Sequence, residues 1–133
     1  MKTLLLMRHA KSSWKQPDLP DNERPLTKRG VRASVHMGEL LRAKGLLPQM
    51  ILSSTAVRAE QTAKHLCKGI GCSDHVSSTD DLYLAEAETY INRLHHLSDE
   101  LERVMIVGHN PGLESLLQLF SGQIETLPTA AIA

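Results

Sequence analysis

No excess of charge of either sign marks this sequence: fifteen Lys and Arg balance fifteen Asp and Glu. A chain with no net field does not draw nucleic acid or an anionic membrane over its whole face, so any anion it binds must be held locally. Long apolar runs are missing too. Met1-Lys2-Thr3-Leu4-Leu5-Leu6-Met7 gives way at once to Arg8 and His9, and so short a run cannot form a signal-peptide core or a membrane span. A cytoplasmic location is expected. Cysteine is scarce. Cys67 and Cys72 are the only two, and without a secretory signal they are expected to be reduced thiols. His65 and His75 flank them, but the spacing H-x-C-x4-C-x2-H fits no tetrahedral ligand set, so no metal or other cofactor is expected. Repeats and low-complexity tracts are absent as well.

What is present is an ordinary globular balance, 41% hydrophobic and 23% charged in 133 residues, enough to bury one core and make 1–133 a single domain. Thr3 to Met7 is a short continuous apolar run, as in a strand buried on both faces. Pro17-Asp18-Leu19-Pro20-Asp21-Asn22 is a turn-rich loop. Thr27 is an N-cap candidate for a helix reaching about Lys44, with Val31, Val35, Met37, Leu40 and Leu41 near helical spacing and Gly45 as its stop. Met50-Ile51-Leu52 predicts a second strand, Ala56 to Lys68 a second helix stopped by Gly69, and Val76 a short third strand. Glu86 to Leu97 predicts a third helix, and Val104 to Val107 a fourth strand closed by Gly108. Pro111 at a first helical position opens a helix to about Phe120. Thr129 to Ala133 reads as the opening of another strand. Strands alternating with helices of these lengths predict an α/β domain with a largely parallel sheet.

In such folds ligands bind beyond the carboxyl ends of the strands. Three segments lie there: Arg8 to Ser12, Ser53 to Arg58, and Gly108 to Pro111. Each carries groups suited to a phosphate. Arginine offers a planar fork of donors, and a neutral imidazole such as His9 can attack phosphorus. Arg58 falls on the first turn of a helix and His109 just before another, where the positive helix end favours oxyanions. Singly, an Arg-His pair is a common surface feature and a strand-end His a common cap. Two Arg and two His converging at three strand ends point to a phosphate site.

Leu6-Met7-Arg8-His9-Ala10-Lys11-Ser12 resembles the Arg-His-Gly signature of the histidine phosphatase superfamily, the phosphoglycerate-mutase-like fold. Ser54-Thr55-Ala56-Val57-Arg58-Ala59-Glu60-Gln61-Thr62-Ala63 resembles its second motif, and Val107-Gly108-His109-Asn110-Pro111 its third. Ala10 in place of glycine, the short length and Gly-His-Asn-Pro resemble the small phosphohistidine phosphatases of the SixA type. The resemblance implies a three-layer α/β fold, with His9 as a transiently phosphorylated nucleophile. Arg8, Arg58 and His109 are implied to bind the phosphoryl group, and Ser12 to add a hydroxyl. It further implies metal-free hydrolysis of phosphohistidine in a protein substrate, with inorganic phosphate as product and a monomeric enzyme.

Two departures from the family pattern matter. The aspartate that one branch places after the second histidine is Asn110 here. A glutamate acid from the other branch has its nearest counterpart in Glu86, with Glu88 and Asp18 as rivals, and a solvated helix-start residue as the alternative for Glu86. Relatives of this type also continue past the position of Ala133, so the last strand is expected to be incomplete. Three functional classes are left: a protein phosphohistidine phosphatase, a phosphatase or mutase for small phosphometabolites, and a non-catalytic phosphate-binding module. Retention of His9 and its clamp disfavours the third. A mutase shelters its intermediate under a lid, and the span between Arg58 and His109 is consumed by predicted elements, which favours the first.

Overall fold

The computed structural model describes residues 3–72 and 76–133. Four strands, β1 (Thr3–Arg8), β2 (Met50–Ser54), β3 (Val76–Thr79) and β4 (Arg103–Gly108), form one sheet in the order β1-β4-β2-β3, and every pair is parallel. Helices α1 (Lys28–Ala43), α2 (Val57–Ile70), α3 (Ala87–His95) and α4 (Gly112–Ser121) alternate with them. Side chains alternate across a strand, and here the alternation divides the core in two. Leu5, Met7, Ile51, Met105 and Val107 pack with Leu41, Ala63 and Leu66 on the α1/α2 side. Leu6, Leu52, Val104 and Ile106 pack with Tyr90, Leu94, Leu113 and Leu116 on the α3/α4 side. Burial on both faces is why these strands read as unbroken apolar runs.

The residues at the end of the chain lie along the free edge of β1, antiparallel to it: Leu6 and Ala133 exchange both backbone hydrogen bonds, at 2.8 and 2.9 Å, and Met7 bridges Ile132. Where a strand was expected from Thr129, Thr129 and Ala130 form a turn and the pairing is a single antiparallel bridge at Ile132. Among the described residues no helix is long and apolar enough to cross a membrane.

Thr27 caps α1 as expected, its hydroxyl oxygen accepting the Gly30 N–H at 2.9 Å. The apolar residues predicted to face the core from α1 are only partly right. Leu41 is buried, but Leu40 is exposed and Val31 and Met37 are half-buried; the deepest stripe is Gly30, Ser34 and Gly38. Close helix contact explains it. A Cβ on Gly38 would sit 2.2 Å from the Leu66 carbonyl oxygen, and one on Gly69 2.1 Å from that of Val35, so α1 and α2 touch backbone to backbone. Gly69 is thus a packing residue inside α2 rather than its stop. The helix runs on to Ile70 and ends at Gly71, whose φ of 86° is left-handed. At the start of α4, Pro111 is the cap and Gly112 the first helical residue.

That turn at Gly71 also corrects the expectation of free thiols. The Gly71 and Cys72 N–H groups both bond back to the Cys67 carbonyl, at 2.8 and 3.0 Å. The turn brings the two cysteine Cα atoms to 4.9 Å, and the pair is a disulfide. Of the group once considered for zinc, His75 lies outside the described residues.

Candidate active site

The register of the sheet assembles the site. Arg8 pairs with Gly108, and Ser53 with Val107, so the segments after β1, β4 and β2 emerge side by side at one edge. His9, Arg58 and His109 are all buried, at 7%, 3% and 2% exposure. With Arg8 and Ser12 they line a cleft of about 290 Å³. Glu86 does not line it. It is exposed and stands at the N-cap of α3, with no side-chain capping bond. Asp18 and Glu88 are also exposed and outside the cleft.

His9 is oriented by its own backbone. Its Nδ1 is 2.8 Å from the Ala10 carbonyl oxygen, which can only accept, so Nδ1 carries the proton and Nε2 keeps the lone pair. Ala10 is fixed in turn. Its N–H bonds the Thr62 hydroxyl at 2.9 Å, and that hydroxyl donates to the Arg58 carbonyl at 2.7 Å. The end of β1 is thereby tied to the first turns of α2.

His109 follows the same logic in reverse. The Ser54 hydroxyl oxygen accepts the Ala56 N–H at 3.1 Å and lies 2.7 Å from His109 Nε2. A second lone pair on that oxygen is open to the His109 Nε2–H, and Arg58 Nη2, which can only donate, lies 3.4 Å from Nδ1, so Nε2 carries the ring proton in the free protein. Arg58 Nη2 thereby reaches both the Asp21 carboxylate and the His109 ring. Gly108 makes room behind the ring: a Cβ there would stand 2.3 Å from the Tyr90 hydroxyl oxygen, to which the His109 N–H donates at 3.3 Å.

Both rings are neutral at ordinary pH. Burial pushes His9 down to about 4, and Arg58, Arg8 and Arg24 push the same way against the Ala10 hydrogen bond. Burial pushes His109 down to about 3, helped by His9 and Arg58. Only the neutral form of His9 has a lone pair to give. The two ring centroids are 5.2 Å apart.

Three residues in or against the cleft carried no functional expectation. Arg24, 7% exposed, donates to the Ser12 hydroxyl at 2.9 Å and lies over the Trp14 ring, 3.6 Å from its centroid. It brings a third guanidinium to the cleft. Asp21, at the start of the 3-10 turn Asp21–Glu23, joins the arginines: its carboxylate takes Arg58 Nη2 at 3.0 Å and Arg24 Nε at 3.2 Å. Tyr83 is the third; its hydroxyl donates to the same carboxylate, and its ring stands edge-on to His109. The Tyr83 hydroxyl, then Arg58 and Arg24, hold Asp21 down to about 2, so the carboxylate is ionised. The only sequence signal for Arg24 was its place before Pro25, which holds it in extended backbone. Asp21 was hidden in a loop that reads as turn.

Asn110 does structural work. Its Nδ2 donates to Glu114 Oε1 at 2.6 Å and to the Leu127 carbonyl at 2.9 Å, which a carboxylate could not do. Arg8 Nη1 donates to the same Leu127 carbonyl at 3.2 Å. Arg8 Nε and Arg58 Nε are buried without a partner among the described residues, so donors remain for an anion to satisfy.

The family model of the histidine phosphatase superfamily, branch 1, matches residues 4–87, and the chain belongs to that superfamily. It is 36% identical, over 87% of its length, to an uncharacterised protein of Mycobacterium leprae, of which it covers 71%. Among solved structures it is similar to one assigned as the phosphohistidine phosphatase SixA of Agrobacterium tumefaciens. The identity there is 31% and the TM-score 0.85, over 98% of this chain and 88% of that one. The protein histidine phosphatase SixA complexed with tungstate shares the fold at 24% identity and a TM-score of 0.88, over 98% and 85% of the two chains. The phosphoglycerate-mutase-like α/β fold is therefore that of this chain. It spans about two thirds of the first curated relatives it matches, namely 65%, 71% and 66% of their lengths.

Proposed function

We propose that this protein is a metal-independent phosphatase that removes the phosphoryl group from phosphohistidine in other proteins, acting as a cytoplasmic monomer. Superfamily membership and the likeness to SixA support a phosphatase. The observation that carries the finer reading is the state of the carboxylate bonded to the cleft arginines: Asp21 is held ionised by Tyr83, Arg58 and Arg24, and neither it nor Glu86 lines the cleft. A site without a protonated acid expels an alkoxide poorly. An imidazole, whose conjugate acid has a pKa of about 6.5, needs no placed acid to leave.

In this reading the far ring nitrogen of the substrate is protonated from solvent, His9 Nε2 attacks phosphorus, and the bond from phosphorus to the substrate nitrogen breaks so that neutral imidazole leaves. Water then attacks the phosphoenzyme, the bond to Nε2 breaks, inorganic phosphate leaves, and the released proton passes to solvent. Arg8, Arg58 and His109 hold the phosphoryl oxygens, with Ser12 and Arg24 at the side. Phosphoryl transfer depends mainly on positioning and charge neutralisation, and three guanidiniums with two neutral rings supply both. The Asp21 carboxylate occupies the Arg58 donors in the free protein and gives way to the incoming group.

General acid help is typically worth about 10²–10⁴-fold where a leaving group requires it. The test is kcat/KM on a phosphohistidine peptide, an aryl phosphate and an alkyl phosphate. The expected order is phosphohistidine first, aryl next and alkyl far behind. Comparable rates on alkyl phosphate and phosphohistidine would refute the reading, as would a thousandfold loss on phosphohistidine in Glu86→Gln.

A further inference from the structure

Charge is balanced over the chain but not along it. Residues 1–44 hold ten Lys and Arg against four Asp and Glu; the remainder hold five against eleven. Part of the basic share faces a second groove, of about 530 Å³, between the segment from Ser13 to Leu19 and the start of α1. Lys15, Lys28 and Arg29 line it, all exposed, and no carboxylate does. None of the three forms an ion pair among the described residues. Lys28 and Arg29 also occupy the first turn of α1, which has no acidic residue, although the positive helix end favours carboxylates there. Folding does not explain that choice of charge.

The groove shares a wall with the candidate active site. The segment from Lys11 to Lys15 runs beside Pro25 to Thr27, with Ser12 bridging Leu26 and the Ser13 N–H bonding the Pro25 carbonyl at 2.8 Å. Alternation along this extended stretch sends Ser12 and Trp14 to the catalytic cleft and Ser13 and Lys15 to the groove. Trp14, 71% exposed, stands on the shared wall. A polypeptide with its phosphohistidine at His9 can therefore pass over Trp14 and lay a neighbouring segment in the groove.

We propose that this groove docks an acidic stretch flanking the phosphohistidine of the protein substrate, which makes Lys15, Lys28 and Arg29 specificity residues. The inference rests on the function proposed above. It is tested with two phosphohistidine peptides that differ only in flanking Asp and Glu against Asn and Gln, and with free phosphohistidine. Three exposed charge pairs should favour the acidic peptide by about tenfold in kcat/KM at low salt, fading toward parity at high salt. Lys28→Glu with Arg29→Glu should erase the preference and leave turnover of free phosphohistidine within about twofold. Glu suits a helix start, so the variant should stay folded. If free phosphohistidine is hydrolysed but the flanks make no difference, or if the variant loses both activities equally, the groove assignment is wrong. Tighter binding of a single-stranded RNA than of the acidic peptide would overturn it in favour of nucleic acid. If no phosphohistidine compound is turned over while aryl phosphate is, the substrate reading itself fails and takes this inference with it.

Discussion

The two buried imidazoles should make this fold sensitive to mild acid. In the unfolded chain each titrates near 6.5, whereas in the folded protein His9 stays neutral down to about 4 and His109 down to about 3. Between those values the unfolded chain binds more protons than the folded one, so stability is fully present above 6.5 and is lost as the pH falls. Both residues are more than nine-tenths buried, so solvent screening removes little of the effect. At pH 5 each ring costs about 2 kcal/mol relative to pH 7.5, and the pair costs about 4 kcal/mol. Against a typical total of about 5–15 kcal/mol that is a large share, and it should lower the Tm on the order of 15 °C for a chain of this size. The assay is thermal or urea unfolding from pH 7.5 to 5, with the ring protons of both histidines followed by NMR. His9→Asn should remove about half of the pH-dependent loss. Constant stability across that window, or ring signals that titrate near 6.5, would refute the reasoning.

Other outcomes follow from single contacts. Asp21→Asn removes the carboxylate that occupies Arg58 and Arg24 and should tighten phosphate or vanadate binding severalfold by calorimetry; weaker binding would mean that Asp21 braces the arginines instead. Ser54→Ala removes the hydroxyl bonded to His109 Nε2 and loosens that ring, which should lower kcat about 10-fold or more with little change in Tm, as loss of a positioned group does; Ser54→Thr should restore most of the activity. In Gly69→Ala the new Cβ meets the Val35 carbonyl, and overpacking of this kind should cost about 1–3 kcal/mol by urea unfolding, without altering the anion site.

Much of the fold was legible because its strands are short, apolar and bounded by glycine, and because Thr27 and the α4 entry at Pro111 carry recognisable end signals. The small-residue seam between α1 and α2 was not. Gly38 and Gly69 are chosen by a backbone approach that hydrophobic spacing does not encode, and Gly69 therefore reads as a stop. At the site, Arg8, His9, Arg58 and His109 could be singled out because each stands at a strand end or helix start, where the fold class places ligands. Arg24 reaches the cleft, and Asp21 and Tyr83 reach its Arg and His side chains, from loops and from the segment before α3. Their positions depend on tertiary folding rather than on local pattern. The Cys67–Cys72 pair belongs to the same class, since it depends on the turn after α2.

The most direct test of the account is to trap the enzyme during turnover. After brief incubation with a radiolabelled phosphohistidine peptide and an alkaline quench, label should remain on the protein, stable in alkali and lost in acid. Peptide mapping and phosphorus NMR should place it on Nε2 of His9, because Nδ1 is committed to the Ala10 carbonyl at 2.8 Å. His9→Ala should take up no label and turn over no substrate. Label on any other residue, label on His9 Nδ1, or continued labelling and turnover in His9→Ala would contradict the account.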